Sequence, residues 1–281
     1  MCGTCNQKYR GMSIPQAKTV AAANSSTNNI PRHPNQCDFC KSSLETMTMG
    51  GFVISPRWAS IDTVYGIRIA CTSCAERIKK RDHVCFVCKK SASYECEHGV
   101  YLCETCRSNR MTPQKVDTMY PRILKEIEDV LKQKIPCKPR IIPCTYAEMQ
   151  RDEDGDAIEL GLFTCESEKL VDSSTGQIVS TKEACTIRFV RHLPHDVFQD
   201  VIAHEIAHHW LHHCVSGKRT LSEEEGFAEW VAFYIGKLHC IDGVVRGHTE
   251  KRDPIYGDGF RMIKQRIESG RYRTPALLFA Q

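Results

Sequence analysis

Apolar residues recur at helical spacing in four stretches of the chain. Within residues 112–134, Val116 and Ile123 lie on one face of a predicted helix. Pro136 is expected to end this helix because proline lacks the amide donor that a helix needs. The other three predicted helices cover residues 194–214, 222–238 and 259–268. For the helix at 194–214, we expect Asp196 to act as the N-cap.

Short strands are predicted around these helices. Residues 51–54 and 65–69 are apolar runs typical of strands, and residues 157–164 and 184–191 are further candidates, the last with alternating polarity. If the strand at 184–191 forms a sheet edge beside the site described below, an extended peptide could pair with it as an additional strand. We therefore expect an α+β fold.

Cysteine is the residue type whose pattern is most informative. The 281-residue chain has 17 cysteines, and ten of them form five C-x-x-C pairs. In a reducing compartment such pairs indicate zinc ligation rather than disulfide bonds. The pairs are Cys2/Cys5, Cys37/Cys40, Cys71/Cys74, Cys85/Cys88 and Cys103/Cys106.

Four of the pairs predict two structural Cys₄ zinc sites. Sequential pairing is favoured over interleaved pairing because the chain between Cys88 and Cys103 suits one hairpin. It places Cys37, Cys40, Cys71 and Cys74 on the first zinc and Cys85, Cys88, Cys103 and Cys106 on the second. The alternative ligands are His83, Cys96 and His98. We expect a LIM-like or zinc-ribbon module at 37–110, whose thin core needs zinc to fold.

The N-terminal segment at 1–36 is predicted to be a flexible tail. It is rich in small and polar residues and cannot bury enough apolar surface to offset the entropy of ordering. Cys2 and Cys5 lie at its start and supply only two of the four ligands that a structural zinc needs. We interpret them as a pair without a partner pair.

The sequence from His204 to His208 is H-E-x-x-H within the predicted helix at 194–214. Four residues turn a helix by about 400°, so both histidines lie on one face and can bind one zinc ion. Glu205 lies beside them, where it can act as general base. The alternative is an exposed histidine-rich helix, because three more histidines follow. They are His209, His212 and His213.

The next predicted helix supplies candidates for a third zinc ligand. Leu211 and Cys214 occupy the positions where a metzincin needs glycine and histidine, which excludes that class. Glu225 and Glu229 lie one helical turn apart, so Glu225 can bind the catalytic zinc while Glu229 accepts a hydrogen bond from a ligating histidine. Glu229 lies in an apolar stretch, and a carboxylate there needs a partner.

A donor is also needed to stabilise the oxyanion of a peptidase reaction. Tyr256 is the preferred candidate, because the glycines that follow it allow a tight turn that could present the phenol to the cleft. The alternative for Tyr256 is a tyrosine packed at a turn. The other candidate donors are Tyr234, His239 and His248.

Composition and charge narrow the functional classes. No apolar run is long enough for a membrane span, and the N-terminus has no apolar signal segment, so we expect no membrane association and a cytoplasmic location. The net charge of +4 resides in residues 1–36, and the rest of the chain balances 34 basic against 34 acidic residues. This balance argues against a specific nucleic-acid surface.

Three stretches carry a resemblance to a known family: 203–210 around H-E-x-x-H, 221–226 around Glu225, and 253–261 with the sequence DPIYGDGFR. The chain resembles the plant LIM-domain zinc peptidases of gluzincin type that limit organ growth and are activated by ubiquitin. The resemblance covers residues 37–281. It implies that His204, His208 and Glu225 bind zinc and that Glu205 is the catalytic base.

The chain departs from that family in two places. Cys74 and Cys85 are too far apart for a regular LIM domain, so the module is LIM-like, and residues 1–36 contain no acidic ubiquitin-interacting helix. We therefore expect a shorter relative, with a gluzincin-type metallopeptidase domain at 111–281.

The expected function is a zinc metalloprotease that cleaves protein substrates with one catalytic and two structural zinc ions. The LIM-like module would bind the substrate or a protein regulator. The first alternative is a non-catalytic zinc scaffold for protein interaction, which gives Glu205 no role. The second is a nucleic-acid-binding zinc ribbon, which the neutral body of the chain disfavours.

Overall fold

The computed structural model describes residues 36–44, 47–49, 52–54, 58–149, 159–171, 178–272 and 274–279. The tail predicted at 1–36, with Cys2 and Cys5, lies outside the described residues apart from Gln36. Helix and sheet are mixed in the chain, which is compatible with the predicted α+β class. Among the described residues, no helix is both long and apolar enough to cross a bilayer.

The N-terminal half of the described chain contains three antiparallel hairpins and two short helices. The strands are β1 (Met47–Met49), β2 (Phe52–Ile54), β3 (Trp58–Thr63), β4 (Gly66–Cys71), β5 (Tyr94–Glu97) and β6 (Val100–Leu102). β1 pairs with β2, β3 with β4, and β5 with β6. The helices are α1 (Thr72–Lys80) after β4 and α2 (Glu104–Ser108) after β6. The prediction at 65–69 matches β4, whereas α1 was not predicted.

The C-terminal half packs helices around a three-stranded sheet. Its strands are β7 (Arg140–Cys144), β8 (Gly161–Val171) and β9 (Ile178–Val190). Its helices are α3 (Pro113–Leu131), α4 (Tyr146–Met149), α5 (His195–Cys214), α6 (Leu221–Leu238), α7 (Asp242–Glu250) and α8 (Tyr256–Glu268), followed by a 3₁₀ helix at Pro275–Phe279.

The sheet order corrects one expectation from the sequence. The order is β7-β9-β8, with β7 parallel and β8 antiparallel to β9. The strand at 184–191 is therefore central, and it cannot accept a peptide as an added strand. Among the described strands of this sheet, β8 is the edge that faces α5, since the Phe163 amide donates to Glu205 on that helix.

Three predicted helix boundaries differ from the structure for local reasons. Helix α3 ends at Leu131, before Pro136, because Lys132 after it adopts a left-handed conformation with φ of 56°. Asp196 is not the N-cap of α5, because the helix begins at His195 and Asp196 lies in its first turn. Helix α8 begins at Tyr256 rather than 259, because the Asp253 side chain accepts hydrogen bonds from the first amides of this turn.

The hydrophobic core is divided unevenly between the two cysteine clusters. A small core surrounds the first cluster and includes Cys37, Ile61 and Ile78. The residues around the second cluster, such as Cys85 and Leu102, belong instead to the large core that continues through α5 and α6. The core therefore crosses the boundary predicted at residue 110, and that boundary stays a prediction.

The hairpin β3–β4 docks on α7. The Ile67 amide donates to Glu250 at 2.7 Å, and Arg246 donates to the Tyr65 carbonyl at 3.1 Å. Gly247 lets the helix approach closely, because a Cβ at this position would overlap the carbonyl oxygen of Val64. Hairpin β3–β4, which ends at Cys71 of the first cysteine cluster, is thereby attached to α7. Helix α7 also contributes to the site described below.

Candidate metal centre and active site

The two cysteine clusters have the same local construction. Each first pair lies in a turn that ends in a lysine with positive φ, Lys41 at 64° or Lys89 at 62°. Each second pair starts a helix, with Cys71 or Cys103 as the N-cap residue. A helix N-terminus favours thiolates, because its unpaired amides carry partial positive charge.

The structure brings the cysteine pairs together in the sequential order. One group contains Cys37, Cys40, Cys71 and Cys74, and the other Cys85, Cys88, Cys103 and Cys106. The Sγ atoms of Cys40 and Cys71 are 3.7 Å apart, and those of Cys88 and Cys103 are 3.5 Å apart. Tetrahedral zinc sets its sulfur ligands about 3.8 Å apart. Both clusters could therefore bind a metal ion.

The alternative cysteine and histidine ligands are not part of either group. Within the described chain, the groups of candidate ligands do not include His83, Cys96 or His98. Cys96 instead contacts the Val100 carbonyl within the hairpin β5–β6, at 3.3 Å.

Cys85→Ser is expected to destabilise the chain more than Cys37→Ser does. Each variant removes a ligand from one Cys₄ cluster, and structural zinc contributes folding free energy. Only the second cluster shares the large core with α5 and α6. In thermal unfolding followed by circular dichroism at 222 nm, Cys85→Ser should lower the midpoint temperature of the main helical transition. Cys37→Ser should leave that temperature nearly unchanged. Equal shifts would contradict this division of the core.

Helix α5 carries the H-E-x-x-H residues into the centre of the molecule. Every residue from Val197 to Leu211 is buried, including His204, Glu205 and His208. The alternative of an exposed histidine-rich helix is therefore wrong for this part of α5. A buried polar group needs a partner, so the environment of these side chains determines what they can do.

His204, His208 and Glu225 converge on one point. The two Nε2 atoms are 3.1 Å apart, and they lie 3.3 Å and 3.4 Å from Glu225 Oε2. Ligand atoms bound about 2.0–2.1 Å from a tetrahedral zinc lie about 3.3 Å from one another. The Glu225 carboxylate is fully buried, and neither oxygen makes a hydrogen bond to a residue that the structure describes. This donor set fits a zinc ion.

The charges around Glu225 match this arrangement. Burial alone raises a carboxyl pKa, yet the facing His208 and His204 hold the pKa of Glu225 at about 2. The same contact raises the pKa of His208 against the opposing effect of burial. Glu225 is therefore ionised, as a metal ligand must be.

Glu205 lies beside this point and is held against β8. Its Oε2 accepts a hydrogen bond from the Phe163 amide at 2.8 Å, and burial raises its pKa. Gly161 makes this approach possible, because a Cβ there would lie 2.7 Å from Glu205 Oε1. Among the described residues, the second carboxylate oxygen, Oε1, has no hydrogen-bond partner. It is free to accept a proton.

Glu229 is buried as predicted, but it contacts different partners. Its Oε1 is 3.7 Å from His204 Nδ1, longer than a hydrogen bond. Its hydrogen bonds go to His248 at 2.6 Å and Lys251 at 2.7 Å. Burial raises a carboxyl pKa, but Lys251 and His248 hold the pKa of Glu229 well below its usual range. Glu229 therefore places a negative charge near Nδ1 of His204, on the side of the ring opposite to Glu225.

The sequence predicted that a ligating histidine joins Glu229 to α5, but the structure joins them through His248 and Asp200. The buried His248 imidazole donates from both ring nitrogens, from Nδ1 to Glu229 Oε2 at 2.6 Å and from Nε2 to Asp200 Oδ1 at 2.7 Å. Sequence reasoning considered His248 as an oxyanion donor, whereas this buried imidazole positions Glu229. The other two candidates lie elsewhere: Tyr234 is 38% exposed, and His239 pairs with Glu126 on α3.

Tyr256 lies at the first residue of α8, near the same carboxylates. Burial raises its pKa, and so do the charges of Glu225 and Glu229. The phenol therefore stays protonated and can donate a hydrogen bond. Helix α8 is held against α6 by Gly226 and Gly259, where an added Cβ would overlap the opposite backbone.

The titration of His248 is expected to lower the free energy of unfolding as the pH rises into the alkaline range. Burial lowers the pKa of histidine, but Asp200 and Glu229 raise that of His248 to about 9. Because the pKa of His248 is higher in the folded chain than in the unfolded chain, binding of its proton stabilises the fold. This stabilisation is fully present below pH 6.5, the pKa in the unfolded chain, and is lost as the pH rises towards 9. The loss is about 3 kcal/mol. Urea unfolding at pH 7 and pH 9.5 should show it.

The matched variant for this prediction is His248→Gln, which cannot titrate. Its free energy of unfolding should change less between the two pH values than that of the parent. Because this variant leaves the buried Asp200 carboxylate without a cation and Glu229 with Lys251 alone, NMR titration of the His248 ring in the parent is the second measurement. A midpoint below pH 7 would contradict the prediction.

Comparison with family models, with curated proteins and with solved structures finds no significant match. Function is therefore inferred from the donor set and its surroundings.

Proposed function

We propose that this protein is a zinc-dependent endopeptidase of gluzincin type that cleaves protein substrates. One observation carries the proposal: the buried Glu225 carboxylate, which makes no hydrogen bond within the described part of the chain, faces the Nε2 atoms of His204 and His208. Removing a carboxylate from water is costly, and a metal cation bound between Glu225 and the two imidazoles would compensate its charge. Two imidazoles and a carboxylate form the ligand set of catalytic zinc sites.

The adjacent Glu205 favours a catalytic site over a structural one. A zinc ion held by His204, His208 and Glu225 would polarise a peptide carbonyl and make a water molecule more acidic. Glu205 takes the proton of the attacking water through its free Oε1 and returns it to the leaving amine. The Tyr256 phenol donates a hydrogen bond to the oxyanion.

The edge strand β8 offers a way to hold an extended substrate. The Phe163 amide, which donates to Glu205, points away from β9, so the outer backbone of β8 faces the catalytic residues. The Phe163 amide is already bonded to Glu205, so an extended peptide would pair with the other outer backbone groups of this edge and present successive carbonyls to the site. Main-chain pairing of this kind selects an extended chain rather than particular side chains.

The two Cys₄ clusters are proposed to hold the structural zinc ions of the LIM-like module, which binds the substrate or a protein regulator. The attachment of β3–β4 to α7 supports a connection with the site, because α7 carries His248. The proposed resemblance to the plant LIM-domain peptidases is consistent with this arrangement of a cysteine-rich module before a peptidase domain.

The test is a cleavage assay on a mixture of unfolded proteins, with products sequenced by mass spectrometry. Cleavage is expected with the zinc-loaded chain, and it should stop with a chelator and return with zinc. Zinc content is measured in parallel for the parent and for His204→Ala, which should lose one zinc per chain. If the parent holds that zinc and cleaves nothing, the non-catalytic scaffold is favoured instead.

A further inference from the structure

A second group of metal-type donors lies on α5, beside the proposed catalytic site. His209 and His213 repeat the four-residue spacing of His204 and His208, rotated by about 140° around the helix. They meet Cys137, from the chain between α3 and β7, and Cys185 of β9. The proposed function uses none of these four side chains.

The distances within this group match those of a tetrahedral metal site. Cys137 Sγ lies 3.6 Å from His209 Nε2 and 3.7 Å from His213 Nε2. Cys185 Sγ lies 3.3 Å from His213 Nε2. Zinc at about 2.3 Å from sulfur and about 2.0–2.1 Å from nitrogen sets these ligands about 3.5 Å apart. These three separations match those that a bound ion would impose, and all four ligand atoms lie within 4.8 Å of one another.

The other ring nitrogen of His213 supports the same conclusion. His213 Nδ1 lies 3.4 Å from the carboxylate of Glu183, while Nε2 faces the two sulfurs. A carboxylate behind a ligating imidazole fixes its tautomer and leaves the opposite nitrogen free for metal. Glu183 therefore orients His213 towards the cysteines.

Two contacts compete with metal for these donors. Cys185 is joined to Cys165 by a disulfide, so Cys185 can bind metal only after reduction. His209 Nε2 also lies 2.8 Å from the Cys137 carbonyl, a hydrogen bond that metal binding would replace. An overlapping group of Cys165, Glu183, His212 and His213 would use a different set of ligands.

We propose that the reduced chain binds a zinc ion through Cys137, Cys185, His209 and His213. Two thiolates and two imidazoles form a structural zinc ligand set with no open position. The ion would attach the chain before β7 to the end of α5 and to β9. Zinc and the Cys165–Cys185 disulfide are alternatives for the Cys185 sulfur, so this site is occupied only under reducing conditions.

The test is zinc content by elemental analysis after purification with a phosphine reductant and zinc. Cys137→Ser, Cys185→Ser and His213→Gln are each expected to lose one zinc per chain. Two matched controls should keep it: Cys165→Ser, which prevents the disulfide but leaves Cys185, and His212→Gln, on the same helix. Cobalt substitution adds a second measurement, since loss of Cys137 should weaken the thiolate-to-cobalt absorption.

Two results would overturn the site. Unchanged zinc in all three ligand variants would show that these donors bind none. Loss of zinc in Cys165→Ser and His212→Gln, but not in Cys137→Ser, would assign the ion to the overlapping group instead. His204→Ala removes a different ion, so failure here and failure of the peptidase proposal are distinguishable.

Discussion

Glu205→Gln is expected to lower peptide hydrolysis by at least about a hundredfold while zinc stays bound. General acid–base catalysis contributes about 10²–10⁴-fold, and the amide cannot take a proton from water. The substitution keeps the side-chain size, and the amide oxygen can still accept the 2.8 Å hydrogen bond from Phe163. The fold and the ligand set of His204, His208 and Glu225 should therefore remain. The measurement is kcat/KM on a peptide identified in the cleavage assay, together with zinc content.

The control for this variant is Glu128→Gln. Glu128 pairs with Lys134 at the end of α3, away from the site, and its loss should leave kcat/KM unchanged. If Glu205→Gln kept full activity, Glu205 would not be the general base. If it lost activity together with one zinc, the effect on catalysis would have to be attributed to the metal.

Glu225→Ala is expected to remove one zinc ion per chain and all measurable hydrolysis. Two histidines remain, and they cannot hold zinc with the affinity of three ligands. Loss of an outer-shell partner alone costs about 10–100-fold in metal affinity, and loss of a direct ligand should cost more. The cysteine clusters lie outside this group of residues, so their zinc should stay. Elemental analysis and the peptide assay measure both effects.

Glu224→Ala is the matched control on the same turn of α6. Glu224 pairs with Arg219 at 3.2 Å and is not among the converging ligands. It should keep the full zinc content and most of the activity. Equal zinc in the Glu225→Ala variant and its parent would exclude Glu225 as a ligand.

Local sequence patterns predicted the elements that present the site. The helix that carries His204 and His208 was expected at 194–214, and it spans His195–Cys214. The sequential grouping of cysteine pairs also followed from spacing along the chain. Both depend on geometry within a few turns or one hairpin, which neighbouring residues largely determine.

Long-range packing was less predictable. Alternating polarity at 184–191 indicated a strand but not its position in the sheet, which depends on pairing with β7 and β8. The partner of Glu229 was sought among the ligating histidines, but Glu229 contacts His248 and Lys251, both from beyond α6. Nothing in the order of residues indicates which distant side chains share a buried pocket.

The sequence by itself therefore determined which metal-ligand side chains lie together on one helix face or within one C-x-x-C pair. Helical periodicity places His204 and His208 on one face, and it does the same for His209 and His213. The sequence made Glu225 a candidate third ligand, and the tertiary structure brings it to the first pair. Only the tertiary structure shows that Cys137 and Cys185 lie beside the second pair. The physical reason is that neighbouring residues determine the geometry of a helix or a turn. Contacts between distant side chains depend instead on how α5 packs against α6 and the sheet in the common core.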